Sequence, residues 1–337
     1  MLDYTNSTPF ISELCLMLNG RGEDVLLIVA KGTFTLFPQV VLAQEQRPLQ
    51  YSDQYSGEPG YSGLLRATEF YPAKAVVDVV FEGHAYAPEG KLARRIDAAL
   101  AVGREKKTLA VFGDRYWDSG RITDAEPFKK MPIVYERAYG GIHHFDETRP
   151  VGPDSAVFLP ENPAGKGFVG KRPAWRTNGL PLPNIEDPSA LISRLSDRPT
   201  PAGLGFIAPT WQPRVSFAGT YDDEWKVNRA PILPLDFNSK FFSVASNGLS
   251  FPVIGMKGEI PVQLWNLVPG YPSVRFYLPE YELIAKIQLG RSGNEIHLSL
   301  DTLFIAPDQN TIELIWKAEF PCERNALSIH KVELVCE

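Results

Sequence analysis

Apolar residues run without interruption from Val25 to Ala30 and then alternate with threonine through Thr33-Phe34-Thr35-Leu36-Phe37. Val76 to Phe81 is apolar and rich in valine, with Asp78 as its one break. Leu92 to Val102 alternates less cleanly, and Lys107 to Phe112 closes another short run. Asn19-Gly20, Ala87-Pro88-Glu89-Gly90, Gly103 and Gly113-Asp114 punctuate these segments. Runs of this length between turn signals predict short strands in an antiparallel sandwich or barrel-like sheet. The pattern returns late in the chain at Val262 to Leu267, Val274 to Leu278, Leu283 to Leu289, Glu295 to Phe304 and Thr311 to Trp316. Pro307-Asp308-Gln309-Asn310 reads as the turn between the last two. No alternating helices of the kind a parallel sheet requires are visible.

The middle of the chain is different. From about 114 to 235 prolines and glycines interrupt every run, and proline removes backbone donors and breaks both kinds of ladder. Short helices are predicted at Ser189 to Leu195, after Asp187-Pro188, at Asp222 to Arg229, with Thr220 or Asp222 as cap, and at Asn238 to Val244. Phe168, Trp175, Phe206, Trp211 and Phe217 lie in the same stretch. Disordered segments are poor in aromatics, so an irregular segment this rich in rings is expected to be ordered and functional. The expected architecture is mainly β: an N-terminal β lobe over 1–125, an irregular central region with short helices over 126–245, and a C-terminal β lobe over 246–337. Both lobes are expected to be antiparallel and sandwich-like, with the central region lining a groove between them.

Composition narrows the function classes. The 337 residues are 44% hydrophobic and 22% charged, as in ordinary globular proteins. A formal charge of −6 provides no basic stripe for nucleic acid, the densest basic run being Arg104-Glu105-Lys106-Lys107. Cys15, Cys322 and Cys336 form no CxxC pair, which suits a reduced, cytoplasmic setting. Cys15 sits among Leu14, Leu16, Met17 and Leu18 and reads as a buried inert thiol, and Cys336 as a frayed end. No apolar run approaches the length of a membrane span, and the N-terminus lacks a signal-peptide pattern.

Candidate chemistry is sparse. Adjacent His143 and His144 would point to opposite sides of a strand, so one metal ion would not see both. Gly165-Lys166-Gly167 fails the phosphate-loop pattern, and its glycines are expected to serve turns. No GxSxG elbow accompanies the five histidines. Glu186-Asp187 and Asp222-Asp223-Glu224 resemble glycosidase carboxylate pairs, but acids at helix starts explain them without chemistry. A carbohydrate-active or hydrolytic protein using Asp222, Asp223 or Glu186 is the alternative reading. No cofactor, metal or catalytic residue is assigned.

An ordered set of short segments resembles a bacterial family whose members are encoded beside type VI secretion spike genes. They include Lys31-Gly32-Thr33-Phe34, Tyr55-Ser56-Gly57-Glu58-Pro59-Gly60, Asp78 through Gly83-His84-Ala85-Tyr86-Ala87-Pro88, and Val111-Phe112-Gly113-Asp114-Arg115-Tyr116-Trp117. Glu126-Pro127-Phe128, Met131-Pro132-Ile133-Val134-Tyr135-Glu136-Arg137-Ala138-Tyr139-Gly140-Gly141, Asn162-Pro163 with Gly167-Phe168, and Leu182-Pro183-Asn184-Ile185-Glu186 continue it. Pro201-Ala202-Gly203 with Gly205, Gly219-Thr220-Tyr221-Asp222 with Trp225, and Leu233-Pro234 with Asp236-Phe237 complete it. The resemblance implies a cytoplasmic, non-enzymatic adaptor or chaperone. It would hold an effector carrying a PAAR-type spike-tip domain and help mount it on the VgrG spike. Tyr139 departs from the family's usual Phe, and His143-His144 stand where the family more often has an Asp soon after Gly-Gly, a place that Asp146 would fill only imperfectly. Aromatics and arginine anchor interfaces, so Trp117, Tyr135, Arg137, Tyr139, Trp175, Arg176, Trp211 and Trp225 are the partner-binding candidates. Edge strands could also take up client backbone by β-augmentation.

Overall fold

The strand Asp24–Thr35 carries the continuous apolar run, and every residue from Val25 to Phe34 within it is buried. A strand apolar on both faces belongs in the middle of a covered sheet. It occupies that position in a computed structural model that describes residues 2–144, 156–170, 177–253, 258–322 and 326–337. Its neighbours are Ile11–Leu18 on one side and Thr311–Pro321 on the other. The sheet continues through Ser299–Ala306 and Val76–Phe81 to a short edge at Ser250–Pro252, and Val41–Leu42 pairs beside Phe34 and Thr35.

The protein is mainly β, but its strands do not sort into lobes along the sequence. The seven-stranded sheet takes residues from 11–35, 76–81, 250–252 and 299–321. A five-stranded sheet joins Ile185–Glu186, Glu105–Phe112, Arg95–Val102, Pro261–Val268 and Tyr271–Tyr277. A four-stranded sheet joins Asp3–Asn6, Ile329–Cys336, Leu283–Leu289 and Ser292–His297. The N-terminal and C-terminal thirds thus share every one of these sheets. Within these three sheets two pairings are parallel, Asp3–Asn6 with Ile329–Cys336 and Val76–Phe81 with Ser299–Ala306. Alternation along a strand reports which face is buried and is silent about the neighbour. One apolar cluster holds Ile28, Leu100, Leu264, Ile287 and Val332 together, one or more from each sheet.

The expected strand Glu295 to Phe304 is two strands in two sheets, Ser292–His297 and Ser299–Ala306. Leu298 sits between them, buried, with its N–H on the Leu283 carbonyl at 2.8 Å. The turn at Pro307 to Asn310 forms, with Asn310 in the left-handed region. The middle of the chain is irregular: among its described residues from 114 to 249, no strand exceeds three residues. The helix Asp223–Asn228 forms with Asp222 as its cap. Asn238 to Val244 yields only a 3-10 turn, Ser239–Phe242, and Ser189 to Leu195 forms turns and bends without a helix. Cys336 is paired in the final strand opposite Leu283, and Cys15 is half-buried, so neither matches its sequence reading. Among the described residues, no helix is long and apolar enough to cross a membrane.

Glycine is required where these irregular segments meet. A side chain at Gly113 would overlap the carbonyl oxygen of Glu126. Gly140, at φ +154°, pairs in parallel with Gly167, and a side chain there would strike Asn162. Close backbone approach of this kind is open to glycine alone.

Candidate functional site

A concavity of about 940 Å³ is walled mostly by the middle of the chain. Ile207 and the segment Gln212 to Phe217 form one side, and the loop from Asn238 to Ser250 forms another. Ala73 to Val76, entering a core strand, closes the floor. The volume lies in the range of ligand-binding clefts.

Asp78 builds this wall from inside the core. Its carboxylate is fully buried and accepts from the Ser243 hydroxyl at 2.7 Å, the Ser250 hydroxyl at 2.6 Å and the Val244 N–H at 2.7 Å. The Lys74 ammonium lies 2.6 Å from its other face. Burial opposes the charge on Lys74, but Asp301, Tyr71 and Asp78 overcome it and hold its pKa above the usual lysine value. Arg214 does for the other side what Asp78 does for this one. Its guanidinium donates to the Ile207 carbonyl and, at 2.9 Å, to the Phe241 carbonyl. Lys107 reaches from the five-stranded sheet to the Ser246 hydroxyl and the Asn247 carbonyl. Burial pulls its pKa down to about 8, with Asp187 acting in the opposite sense.

Tyr135 reaches this cavity with its ring buried edge-to-face against Trp211 at 5.6 Å. Its hydroxyl is enclosed and makes no hydrogen bond. Ser246 is close enough to ease the effect of burial on that hydroxyl's proton affinity, but lies outside hydrogen-bonding geometry. One oxygen of Glu161 on the same wall is also enclosed without a partner. Buried polar atoms are nearly always paired, so these two mark where a bound group would find acceptors and a donor.

Beyond Asp78 the ionic network continues inward. Asp301 takes the Tyr71 hydroxyl at 2.9 Å and faces Lys74 at 3.3 Å and Lys317 at 3.5 Å. Glu313 faces Arg47 at 3.0 Å, Arg66 at 3.3 Å and Lys31 at 3.8 Å, and Lys31 pairs with Glu69 at 2.7 Å. These pairs pin the segment 47–74 onto the seven-stranded sheet. A cavity of about 180 Å³ lies among them.

The partner-binding candidates divide sharply by position. Trp117, Tyr135, Tyr139 and Trp211 are buried, with Trp211 fully enclosed and its indole N–H on the Gly60 carbonyl at 3.2 Å. Trp117 and Tyr139 pack with Leu182 and Ile192 in a small core of the middle region. These four rings fix the irregular segments in place, and only Tyr135 reaches the cavity. Arg137 is one-third exposed and donates to the Asn184 side chain at 3.0 Å. Trp225 is half-buried, donates to the Ile232 carbonyl at 2.8 Å and meets Tyr221 edge-on at 4.7 Å. Trp175, Arg176 and Asp146 lie outside the described residues.

Three segments that carry the family resemblance interlock. Asn184 donates to Asp114 at 2.9 Å, and Lys166 lies 3.6 Å from the same carboxylate. Asn162, fully buried, donates to the carbonyls of Tyr135 at 2.8 Å and Tyr139 at 3.1 Å. The Glu186 carboxylate is buried against Arg115 and accepts from the Ile192 N–H at 2.7 Å. Asp222 accepts from the Trp225 N–H at 2.8 Å, and exposed Asp223 pairs with Lys226 at 2.9 Å. The carboxylates of the hydrolase reading therefore hold structure, and none of them lines the cavity. His143 accepts from the Gly170 N–H at 2.7 Å. Among the described residues, no cluster of His, Cys, Asp or Glu could hold a metal ion.

Sequence reasoning passed over the residues that shape the cavity: Asp78, Lys107, Arg214 and Ser243. A lone acid inside the apolar run Val76–Phe81 was the available signal, because a buried charge demands partners.

The fold and cavity define a mainly β protein with a walled recess. The chain belongs to a bacterial family described as an uncharacterized protein conserved in bacteria (DUF2169), whose model matches residues 21–317. No curated protein and no solved structure matches it.

Proposed function

We propose that this chain is a non-enzymatic adaptor that binds a type VI secretion effector in the cytoplasm and helps load it onto the VgrG spike. The client would be held through its PAAR-type spike-tip domain or a segment flanking it. The ordered set of motifs over most of the chain supports this reading. The observation that carries it is the wall of the large cavity. Hydroxyls, amides, apolar surfaces and the cations Lys74, Arg214 and Lys240 line it, and among its described lining residues Glu161 is the one carboxylate and none is histidine. A recess that mixes apolar surface with hydroxyls, amides and cations suits holding a polypeptide segment.

Co-expression with a candidate PAAR-domain effector, followed by size-exclusion chromatography with light scattering, tests it. A stoichiometric complex is expected. Ser239 is exposed on the cavity wall, so Ser239→Trp should crowd the opening without entering the core and should weaken the complex at least about tenfold. Free chain in the presence of soluble effector would overturn the adaptor reading. Full retention by Ser239→Trp would remove the cavity from it.

A further inference from the structure

The strand Ile11–Leu18 is the outer edge of the seven-stranded sheet and pairs with Asp24–Thr35 without a register shift. Asn19 extends the same register and donates to Glu23 at 3.0 Å. Hydrogen-bonded and non-hydrogen-bonded pairs alternate along an antiparallel ladder. Residues 17, 15, 13 and 11 therefore bond inward. The Asp24 carbonyl agrees, since it turns away from this edge to accept from Cys322 at 2.9 Å. Ser12, Leu14, Leu16 and Leu18 consequently point their N–H and C=O groups outward. Among the described residues nothing bonds to those groups beyond a long 3.8 Å contact from Cys15 Sγ to the Leu16 oxygen.

Native proteins blunt their sheet edges with short strands, proline, lysine or bulges. The other edges here follow that rule. Ser250–Pro252, Asp3–Asn6 and Ile185–Glu186 are short, Tyr271–Tyr277 carries Pro272 and Arg275, and Ser292–His297 carries Gly293 and Glu295. Ile11–Leu18 is eight residues long with no proline, glycine, lysine or bulge. Leu16 and Leu18 stand 53% and 43% exposed on it. Its one charge is Glu13, whose hydrogen-bond partner is the neutral Tyr51 hydroxyl, and which forms no ion pair among the described residues.

We infer that this edge is a docking strand for an extended segment of a partner protein, apolar in character and carrying a lysine or arginine opposite Glu13. Backbone groups of Ser12, Leu14, Leu16 and Leu18 supply the ladder, and Glu13 supplies the sign of the charge. A second copy is the poorer occupant, because it brings another unanswered Glu13 and a further formal charge of −6 to the same edge. The inference deepens the adaptor reading by giving the client a backbone to pair with, yet it is testable without any effector.

The probe is a synthetic nine-residue peptide, capped at both ends, alternating valine and threonine around a central lysine. Anisotropy should show it binding the intact chain, and a version with central glutamate should bind about tenfold more weakly. Glu13→Gln should bring that ratio close to one. N-methylating every second peptide residue, in either register, should abolish binding through the register that faces the edge. Amide exchange at Leu14, Leu16 and Leu18 should be fast in the free chain and slow at least about tenfold with peptide bound. Leu16→Lys, at an exposed position, should keep the native circular dichroism and lose the peptide. Unchanged exchange at these amides under saturating peptide would overturn the inference. So would slow exchange in the free monomer, or a dimer in sedimentation that Leu16→Lys dissolves. A Leu16→Lys variant that loses the peptide but retains its effector would detach this edge from the adaptor reading without harming either result.

Discussion

The Ser243 hydroxyl donates to the buried carboxylate of Asp78 at 2.7 Å, so a loop that walls the large cavity is fastened to the middle of a core strand. The same carboxylate holds Ser250 and the Val244 N–H. Local order in a region without regular ladders depends on such bonds, because buried backbone and hydroxyl groups must otherwise go unpaired.

Replacing Asp78 with Ala should therefore act at two levels. Lys74 keeps Asp301 but loses its closest counter-charge, and three donors lose their acceptor. Breaking a buried pair from one side costs about 3–5 kcal/mol. Urea denaturation should show a loss of that order, and amide exchange should show the loop from Ser243 to Ser250 opening first. Asp78→Asn should cost less. Equal exchange in that loop before and after Asp78→Ala would contradict its role as the fastening.

Lys317 gives the stability a pH dependence. Burial pulls its pKa down to about 7, Asp301 and Glu69 favour its charge, and Lys74 opposes it. Its ammonium also lies 3.0 Å from the Tyr71 ring centroid. Between pH 7 and 10 the unfolded chain keeps this proton while the folded chain releases it. Raising the pH through that window therefore favours folding, by on the order of 2–4 kcal/mol from this residue. Lys317→Met removes the titrating group, so the wild type should gain on the variant from pH 7 to 10 and run parallel to it below. Parallel curves across the whole range would show that Lys317 is charged when folded.

Tyr135→Phe separates stability from binding. The hydroxyl is enclosed and unpartnered, and deleting an unpaired buried polar group is neutral or stabilising. The variant should melt at the same temperature or slightly higher, with a gain of about 1 kcal/mol at most. If the cavity holds the client, retention should fall. Lower stability would mean that the hydroxyl has a partner.

Gly113→Ala should be far more damaging than its chemistry suggests. The added methyl would occupy the place of the Glu126 carbonyl oxygen, so backbone has to move. Overpacking of this kind costs about 1–3 kcal/mol or more. Gly20→Ala, where nothing lies within 4 Å, is the control and should change stability little. Similar melting temperatures for the two would sink the close-approach account.

The sequence disclosed elements better than partnerships. Val76–Phe81 forms over the residues its pattern marks, and Asp222 caps the helix its acids announce. Ile11–Leu18 and Ile329–Cys336 escaped notice, because a mixed apolar run and a chain end resemble a core plug and a frayed tail. The interleaving of sheets could not be read from one chain, since strand pairing between distant segments leaves no local trace. Aromatic content located the region that walls the cavity. It also pointed to Trp117, Tyr139 and Trp211, which are buried, because large rings in irregular segments are used first to bury area. Wall residues such as Ser243 and Asn238 resemble ordinary loop residues in sequence, and only their placement beside Asp78 and Arg214 distinguishes them.

Asp3–Asn6 runs alongside Lys331 to Leu334, and the long central strand Asp24–Thr35 waits for Thr311–Pro321. A ribosome must therefore deliver nearly the whole polypeptide before the seven-stranded and four-stranded sheets can close, whereas the five-stranded sheet is complete at Tyr277. Until then the apolar run from Val25 to Ala30 has only its hairpin neighbour Ile11–Leu18 for cover, and the nascent chain depends on holdases or on speed.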